Sequence, residues 1–460
     1  MLRAWQQQCV KLAYNKYKSG GSHFLAQATP GAGKTIMAAS LAKKLLDKEM
    51  IDFIVCFSPS KTISNGIEKT FSKYLECKFK GQIGDRGISL TYQSLRSVNT
   101  EFWDTLANYR VLCVFDEIHH CGGDKDDNYN AWGYHTLAIV QKAATYTLAL
   151  TGTPWRSNQT PVVLATYSDP DGRIVCDYQY PLSQAVQDQV CRRPKIALID
   201  CEKTIFSDSK NHEVFSSIHE LVSSGHVGYS DVIKNIDALS HILEESVNRL
   251  TLIRKSNKRA GGLIVASSIK HANQIAQILS ERFNQSANVV TYKTPDAQSV
   301  IQCFRNSSRS WIISVGMISE GTDIPRLQVC CYLSNIKTEL YFRQVLGRIL
   351  RTTADSHQEA WLYTFAEAKL LQFAEQIEID IPESCTCISK NTRGNQELSG
   401  LTEKDPRSDP KGEKELMNET LAWETSARNE TLLKSDNKTM PQHLCLDEFN
   451  QRVIEAFRCI

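Results

Sequence analysis

Lys34 and Thr35 close the run Ala28-Thr29-Pro30-Gly31-Ala32-Gly33-Lys34-Thr35, a stretch of small residues ending in an ammonium and a hydroxyl. Such a run suits phosphate. With few side chains in the way, successive backbone N–H groups can wrap phosphate oxygens, and a helix opening at the run adds its positive N-terminal end. Lys34 would reach the β- and γ-phosphates of a nucleoside triphosphate and the Thr35 hydroxyl would ligate Mg²⁺, with Pro30, Gly31, Ala32 and Gly33 as the cradle. Ala28 stands where the usual pattern has glycine.

A second pair of chemical groups follows at Asp116 and Glu117, which end the unbroken apolar run Val111-Leu112-Cys113-Val114-Phe115. A buried strand there would set both carboxylates at the C-terminal edge of a sheet, where ligands of open α/β sheets bind. Asp116 would hold Mg²⁺ through water, and Glu117 would orient and deprotonate an attacking water. Two acids at a strand end are by themselves a weak signal, because turns are rich in Asp and Glu. His119, His120 and Cys121 just beyond read as a solvated turn, since no second ligand cluster accompanies them to make a metal centre.

Both groups need a scaffold of strands and helices. Short apolar runs at 24–28, 51–57, 88–92, 111–115 and 146–150 alternate with amphipathic stretches such as 35–48 and 63–74. The same style returns with strands at 262–266, 289–292, 311–315, 329–333 and 360–364 and helices at 271–283, 297–305 and 340–349. That alternation predicts two α/β domains in tandem, each with a parallel sheet. The expected divisions are residues 1–178, a largely helical connecting segment at 179–260, a second domain at 261–384 and a tail at 385–460. Residues 391–440 are polar, mixed in charge and nearly free of aromatics, the composition of a disordered segment, and 444–457 has the pattern of an amphipathic docking helix.

The chain has 460 residues, enough for two or three domains, and a formal net charge of +2 from 53 Lys and Arg against 51 Asp and Glu. That balance excludes a polybasic protein, so nucleic-acid binding would need a local basic groove. The N-terminus has no apolar stretch behind a basic flank, and no run of about 18 apolar residues occurs. Of the 15 cysteines, Cys56, Cys113, Cys330 and Cys331 sit inside apolar strands and read as small buried hydrophobes; no CxxC pair is present. The expectation is a soluble, cytoplasmic protein with no membrane association.

The two motifs together resemble the ATP site of superfamily 2 helicases of the DEXH-box type, and further motifs follow in that family's order. Arg3-Ala4-Trp5-Gln6 matches the N-terminal element whose glutamine reads adenine. Ser58-Pro59-Ser60 and Leu90-Thr91-Tyr92-Gln93-Ser94-Leu95 are similar to two backbone-contact motifs, Asp116-Glu117-Ile118-His119 is the DEXH box, and Thr151-Gly152-Thr153-Pro154-Trp155-Arg156 matches the motif that couples hydrolysis to domain movement. Ile264-Val265-Ala266-Ser267 resembles the fourth motif, Ser319-Glu320-Gly321-Thr322-Asp323-Ile324-Pro325 the fifth, whose Gly321 and Asp323 approach ribose and phosphates, and Gln344-Val345-Leu346-Gly347-Arg348-Ile349-Leu350-Arg351 is a complete QxxGRxxR signature. The resemblance covers residues 1–371 and is nearest to restriction- and repair-type members.

This resemblance implies two tandem RecA-like P-loop domains with an ATP cleft between them, followed by the polar tail. Lys34, Asp116, Glu117, Gln344, Arg348 and Arg351 would be catalytic, the last two arginines being delivered to the phosphates by the second domain. Gln6 and residues 30–35 would bind ATP, and Thr35 and Asp116 the Mg²⁺. Ser60, Thr91, Thr153, Trp155, Arg156, Ser267 and Ser319 would contact nucleic acid, Trp155 and Arg156 alternatively forming an interdomain packing pair. The implied activity is ATP-dependent movement along DNA without sequence preference. Its rivals are an ATP-gated motor or sensor subunit of a restriction or defence complex that does not unwind, an RNA-directed helicase, and a P-loop kinase or signalling ATPase, which would leave QxxGRxxR unexplained. No nuclease constellation is visible, so cleavage would need a protein partner, for which the C-terminal tail is the candidate dock.

Overall fold

Val111–Asp116 is buried at all six positions, as a strand covered on both faces must be. In the computed structural model it lies at the centre of the first of two large sheets, the all-parallel one. The structure describes residues 2–98, 100–120, 140, 142–153, 164, 166–167, 174–207, 212–318, 322–352, 359–379 and 443–457. The chain divides into two compact units, the first built on Met1–Cys191 and the second on Arg192–Ile377 with the C-terminal strand.

In the first unit, strands β1 (His23–Ala28), β2 (Phe53–Ser58), β3 (Gly87–Thr91), β4 (Val111–Asp116) and β5 (Tyr146–Thr151) match the five expected runs within a few residues. After a two-stranded ribbon, β6 (Thr166–Tyr167) and β7 (Ile174–Val175), strand β8 (Tyr178–Tyr180) joins the sheet. All neighbours are parallel, in the order β3-β2-β4-β5-β1-β8. The Lys34–Asp47 helix buries Met37, Ala38, Leu41, Ala42 and Leu45, one face at three- and four-residue spacing. β5 lies between β1 and β4, so the three turns that leave their C-terminal ends are neighbours.

The second unit contains β9 (Arg193–Ser207), β10 (His212–Phe215), β11 (Gly261–Ala266), β12 (Ala287–Val290), β13 (Trp311–Ser314), β14 (Leu327–Leu333), β15 (Glu359–Phe365) and β16 (His443–Glu455). Its parallel part runs β9-β15-β14-β11-β13-β12, and β10 and β16 pair antiparallel with β9. Helices Ile269–Phe283, Ala297–Asn306 and Glu339–Ile349 are the three expected there. Cys56, Cys113, Cys330 and Cys331 are fully buried, and burial pushes the Cys113 and Cys331 thiols up to about 12.

Three expectations need correction. The division expected after residue 178 falls inside β8, the sixth strand of the first sheet. Its three residues, Tyr-Gln-Tyr, are too few to show a period. The segment from 179, expected to be largely helical, includes the 15-residue β9, while helices Ile218–Ser223, Tyr229–Val232 and Ile236–Ser256 occupy its later part. The C-terminal segment is a strand, not a docking helix: His443 pairs with Ser207 and Glu455 with Lys195. Leu446, Phe449 and Val453 have helical spacing, yet β16 keeps one register along β9 and only Leu446 of the three is buried, Val453 being exposed. The polar stretch 391–440 lies outside the described residues. Among the described residues, no helix is long and apolar enough to cross a membrane.

Candidate active site

The small-residue loop leaves β1 and turns into the Lys34–Asp47 helix through two residues in the left-handed region, Gly31 at φ 85° and Gly33 at φ 96°. Gly33 is the helix N-cap, and a Cβ there would lie 2.9 Å from Gln6 Nε2, so both space and dihedral call for glycine. The loop is braced from outside. Arg3 Nη1 donates to Ala32 O at 2.7 Å, Gln6 Nε2 donates to Gly33 O at 3.0 Å, and Gln6 Oε1 accepts from Arg3 N at 2.9 Å. Trp5 stacks on Tyr180 with centroids 4.8 Å apart, and Tyr180 O accepts from Thr29 N. The Ala4–Lys18 helix is thereby fixed to the edge strand, and Gln6, buried, is held on the loop.

Lys34, Glu117 and the turn after β5 form one hydrogen-bonded group. Lys34 Nζ lies 3.0 Å from Glu117 Oε1 and donates to Ala28 O at 3.2 Å. Gly152 N donates to Glu117 Oε2 at 3.0 Å, and a Cβ on Gly152 would sit 3.1 Å from Lys34 Nζ. Burial alone would raise the Glu117 carboxyl, but Lys34, His119 and the Gly152 amide outweigh it and bring it down to about 2. Glu117 has φ 50°, a conformation that L residues other than Asn and Asp seldom adopt. Asp116, at the end of β4, is buried, and its backbone carbonyl accepts from Tyr92 Oη at 2.8 Å.

His119 is a correction. Expected in a solvated turn, it is 4% exposed, with Nδ1 3.0 Å from Thr151 Oγ1 and 3.6 Å from Glu117 Oε2. The Thr151 hydroxyl donates to Thr153 O at 2.9 Å, so toward His119 it acts as acceptor and Nδ1 carries the proton. His120 and Cys121 side chains lie outside the described residues.

The described residues expected to touch nucleic acid each have a partner close by in the chain. Ser60 caps the Lys61–Leu75 helix by accepting from Ile63 N at 3.4 Å. Thr91 is locked to Ser94, whose Oγ accepts from Thr91 N at 3.0 Å and donates to Thr91 O at 2.7 Å. Thr153 is buried and its amide donates to Thr151 Oγ1 at 3.1 Å. Ser267 Oγ lies 2.9 Å from His271 Nδ1. Trp155, Arg156, Ser319 and Gly321 lie outside the described residues.

In the second unit the Glu339–Ile349 helix carries Gln344 and Arg348, both partly exposed. Arg348 Nη1 donates to Thr322 O at 3.1 Å. Asp323 is paired with Arg351 through Oδ1 and with Arg305 through Oδ2, the latter at 3.0 Å. The sequence reading missed Tyr92, Arg3, Arg305 and the His119–Thr151 pair. Arg3, Tyr92, His119 and Thr151 stand inside quoted motifs, but nothing in one dimension tells which motif residue braces another; Arg305 lies outside every motif.

Two family models match the chain in order. "Type III restriction enzyme, res subunit" matches residues 1–156 and "Helicase conserved C-terminal domain" residues 237–353. An uncharacterised protein of Mycobacterium leprae (strain TN) is 29% identical over 392 residues, 82% of this chain and 64% of that protein. The chain thus spans less than two thirds of the length of the curated relative it matches. The DNA 3'-5' translocase XPB2 of Sulfurisphaera tokodaii is 25% identical over 389 residues, 76% of this chain and 78% of that protein. A fragment of a putative HsdR subunit of a type I restriction enzyme from Vibrio vulnificus shares the fold, with TM-score 0.56 at 16% identity over 83% of this chain and 67% of that one. With two RecA-like α/β units in tandem and the two family models matched across them in order, the chain has the fold and the domain order of superfamily 2 helicase-type proteins.

Proposed function

We propose that this protein hydrolyses ATP to drive movement along DNA, without reading its sequence. The observation that carries the proposal is the Lys34–Glu117–Gly152 group at the C-terminal edge of a parallel sheet, beside a glycine-shaped loop that opens a helix. A γ-phosphate would compete with Glu117 for Lys34. As Lys34 turns to the phosphate, Glu117 loses the nearest charge that depresses it and becomes a stronger base toward water. Thr35 and Asp116 offer the hydroxyl and carboxylate oxygens that Mg²⁺ prefers, and the ion, when bound, neutralises charge on the β- and γ-phosphates. Arg348 and Arg351 would supply positive charge to the transferring phosphoryl group, so that hydrolysis depends on the second unit.

Support for DNA as the track comes from the relative named as a DNA 3'-5' translocase, which also favours 3′→5′ movement. The test is steady-state ATP hydrolysis with no polymer, single-stranded DNA, duplex DNA and duplex RNA, with Lys34→Ala alongside. Stimulation by DNA, and no turnover above background in a Lys34→Ala chain that melts like the wild type, is the expected result. Stimulation by RNA alone would move the track to RNA, and wild-type turnover in Lys34→Ala would remove the phosphate-cradle argument.

The match of the first 156 residues to a restriction-subunit model favours one further reading, translocation on duplex DNA without strand separation. A strand-displacement assay decides between the two: a pure translocase hydrolyses ATP on DNA yet releases no strand.

A further inference from the structure

Arg192, the first residue of the second unit, is fully buried. Its guanidinium faces main-chain oxygens from two separate places in the sheet's surroundings. Nη1 donates to Leu327 O at 2.9 Å, to Ile349 O at 3.1 Å and to Pro325 O at 3.3 Å, and Nη2 donates to Pro325 O at 3.2 Å. Its own backbone N–H donates to Leu350 O at 2.7 Å.

These acceptors are where the proposed phosphate-facing groups hang. Ile349 and Leu350 lie between Arg348 and Arg351, at the C-terminal end of the Glu339–Ile349 helix, where main-chain carbonyls have no partner within the helix. A cation there also complements the helix dipole. Pro325 and Leu327 follow Thr322 and Asp323 in the chain. At the same junction of helix end and loop, Arg348 Nη1 donates to Thr322 O and Arg351 pairs with Asp323. One planar, permanently charged fork therefore spans the helix end and the loop, and its rigidity sets their spacing.

We propose that Arg192 is a positioning residue for ATP hydrolysis, fixing the helix end that carries Arg348 and Arg351 against the 322–325 loop. An apolar side chain would fill the volume but leave the carbonyls of Pro325, Leu327 and Ile349 without this donor. The helix end would then settle differently, and the two arginines would miss a phosphoryl group that requires placement to within a fraction of an ångström. The inference rests on the proposed ATPase reading, and specifically on Arg348 and Arg351 acting on the transferring phosphate.

The test uses the full chain with Arg192→Lys and Arg192→Gln, beside wild type and Arg348→Ala, at saturating stimulating polymer. Expected for each Arg192 variant, per folded molecule, is a kcat at least tenfold lower with KM for ATP and affinity for ADP within twofold. Affinity for ADP with aluminium fluoride, which mimics the transferring phosphoryl, falls in parallel with kcat. In an Arg348→Ala background, Arg192→Lys removes several-fold less than it does in the wild type, because the part of its effect that runs through Arg348 is already gone. A kcat within twofold of wild type overturns the inference. So does a loss that tracks only the unfolded fraction, an equal loss of ADP affinity, or full additivity with Arg348→Ala. A wild-type chain that hydrolyses no ATP with any polymer sinks the underlying reading instead, whereas an active wild type, an inactive Arg348→Ala and a normal Arg192→Lys sink this inference alone.

Discussion

At the scale of single residues, the site depends on one ion pair with two uses. Lys34 and Glu117 hold each other at 3.0 Å, the pair keeps the carboxylate charged, and in the proposed cycle a phosphate would draw the lysine away. Glu117→Gln is expected to bind ATP and polynucleotide while hydrolysing poorly, because an amide cannot take a proton from water. Filter binding and turnover measured together check this, and undiminished turnover would place the general base elsewhere. The same residue leaves a mark on stability. Its carboxyl lies near 2 in the folded chain against an ordinary 4.5, so its stabilising share is complete above about 4.5 and drains away as pH falls toward 2. Urea unfolding of wild type and Glu117→Gln should therefore show a stability gap that narrows between pH 4.5 and 2; a constant gap would mean the carboxylate is not held down by Lys34.

At the scale of elements, backbone shape matters as much as side-chain chemistry. The phosphate loop closes because Gly33 accepts φ 96° beside Gln6. Gly33→Ala should lose about 1–2 kcal/mol of stability from the left-handed conformation alone, with ATP affinity falling as Gln6 is displaced. Calorimetry and nucleotide titration would show both, and an unaltered affinity would detach Gln6 from the loop. The C-terminal strand makes a different point. β16 pairs along most of β9, with Leu446 buried and Phe449 stacked on His241 at 4.5 Å between centroids. Leu446→Ala should cost about 2–5 kcal/mol, the usual range for a buried leucine. A loss well below about 1 kcal/mol, read from denaturant unfolding, would show that the strand is an ornament of the sheet rather than part of it.

At the scale of the molecule, the proposed cycle needs groups from both units. Arg348→Ala should reduce turnover by about 10³-fold or more, the size of an arginine's contribution to phosphoryl transfer elsewhere, while ATP affinity changes only a few-fold. Steady-state turnover and direct ATP titration separate the two quantities. If affinity and turnover fell equally, Arg348 would be a binding residue and the arginine-in-trans account would fail.

Much of this was legible in one dimension. Runs such as Val111–Phe115 announce buried parallel strands because both faces are covered and every position is apolar, and the small-residue run at 28–35 suggests a phosphate cradle because small residues leave backbone amides accessible. The sequence by itself therefore determined the parallel strands of two sheets, the order of the motifs, and the residue types at Lys34, Asp116 and Glu117 on which the proposed chemistry rests. It did not determine what closes the sheets or braces the motifs. Tyr178–Tyr180 becomes a strand only because β1 offers an open edge, and His443–Glu455 only because β9 does; pairing with a distant partner overrides a local pattern that is short in one case and helical in the other. The burial of His119 against Thr151, the Tyr92 bond to Asp116 and the five donations of Arg192 join residues far apart in sequence. Local pattern encodes which face of an element is apolar; which polar atom meets which is settled when the elements pack, and tertiary structure alone decides it.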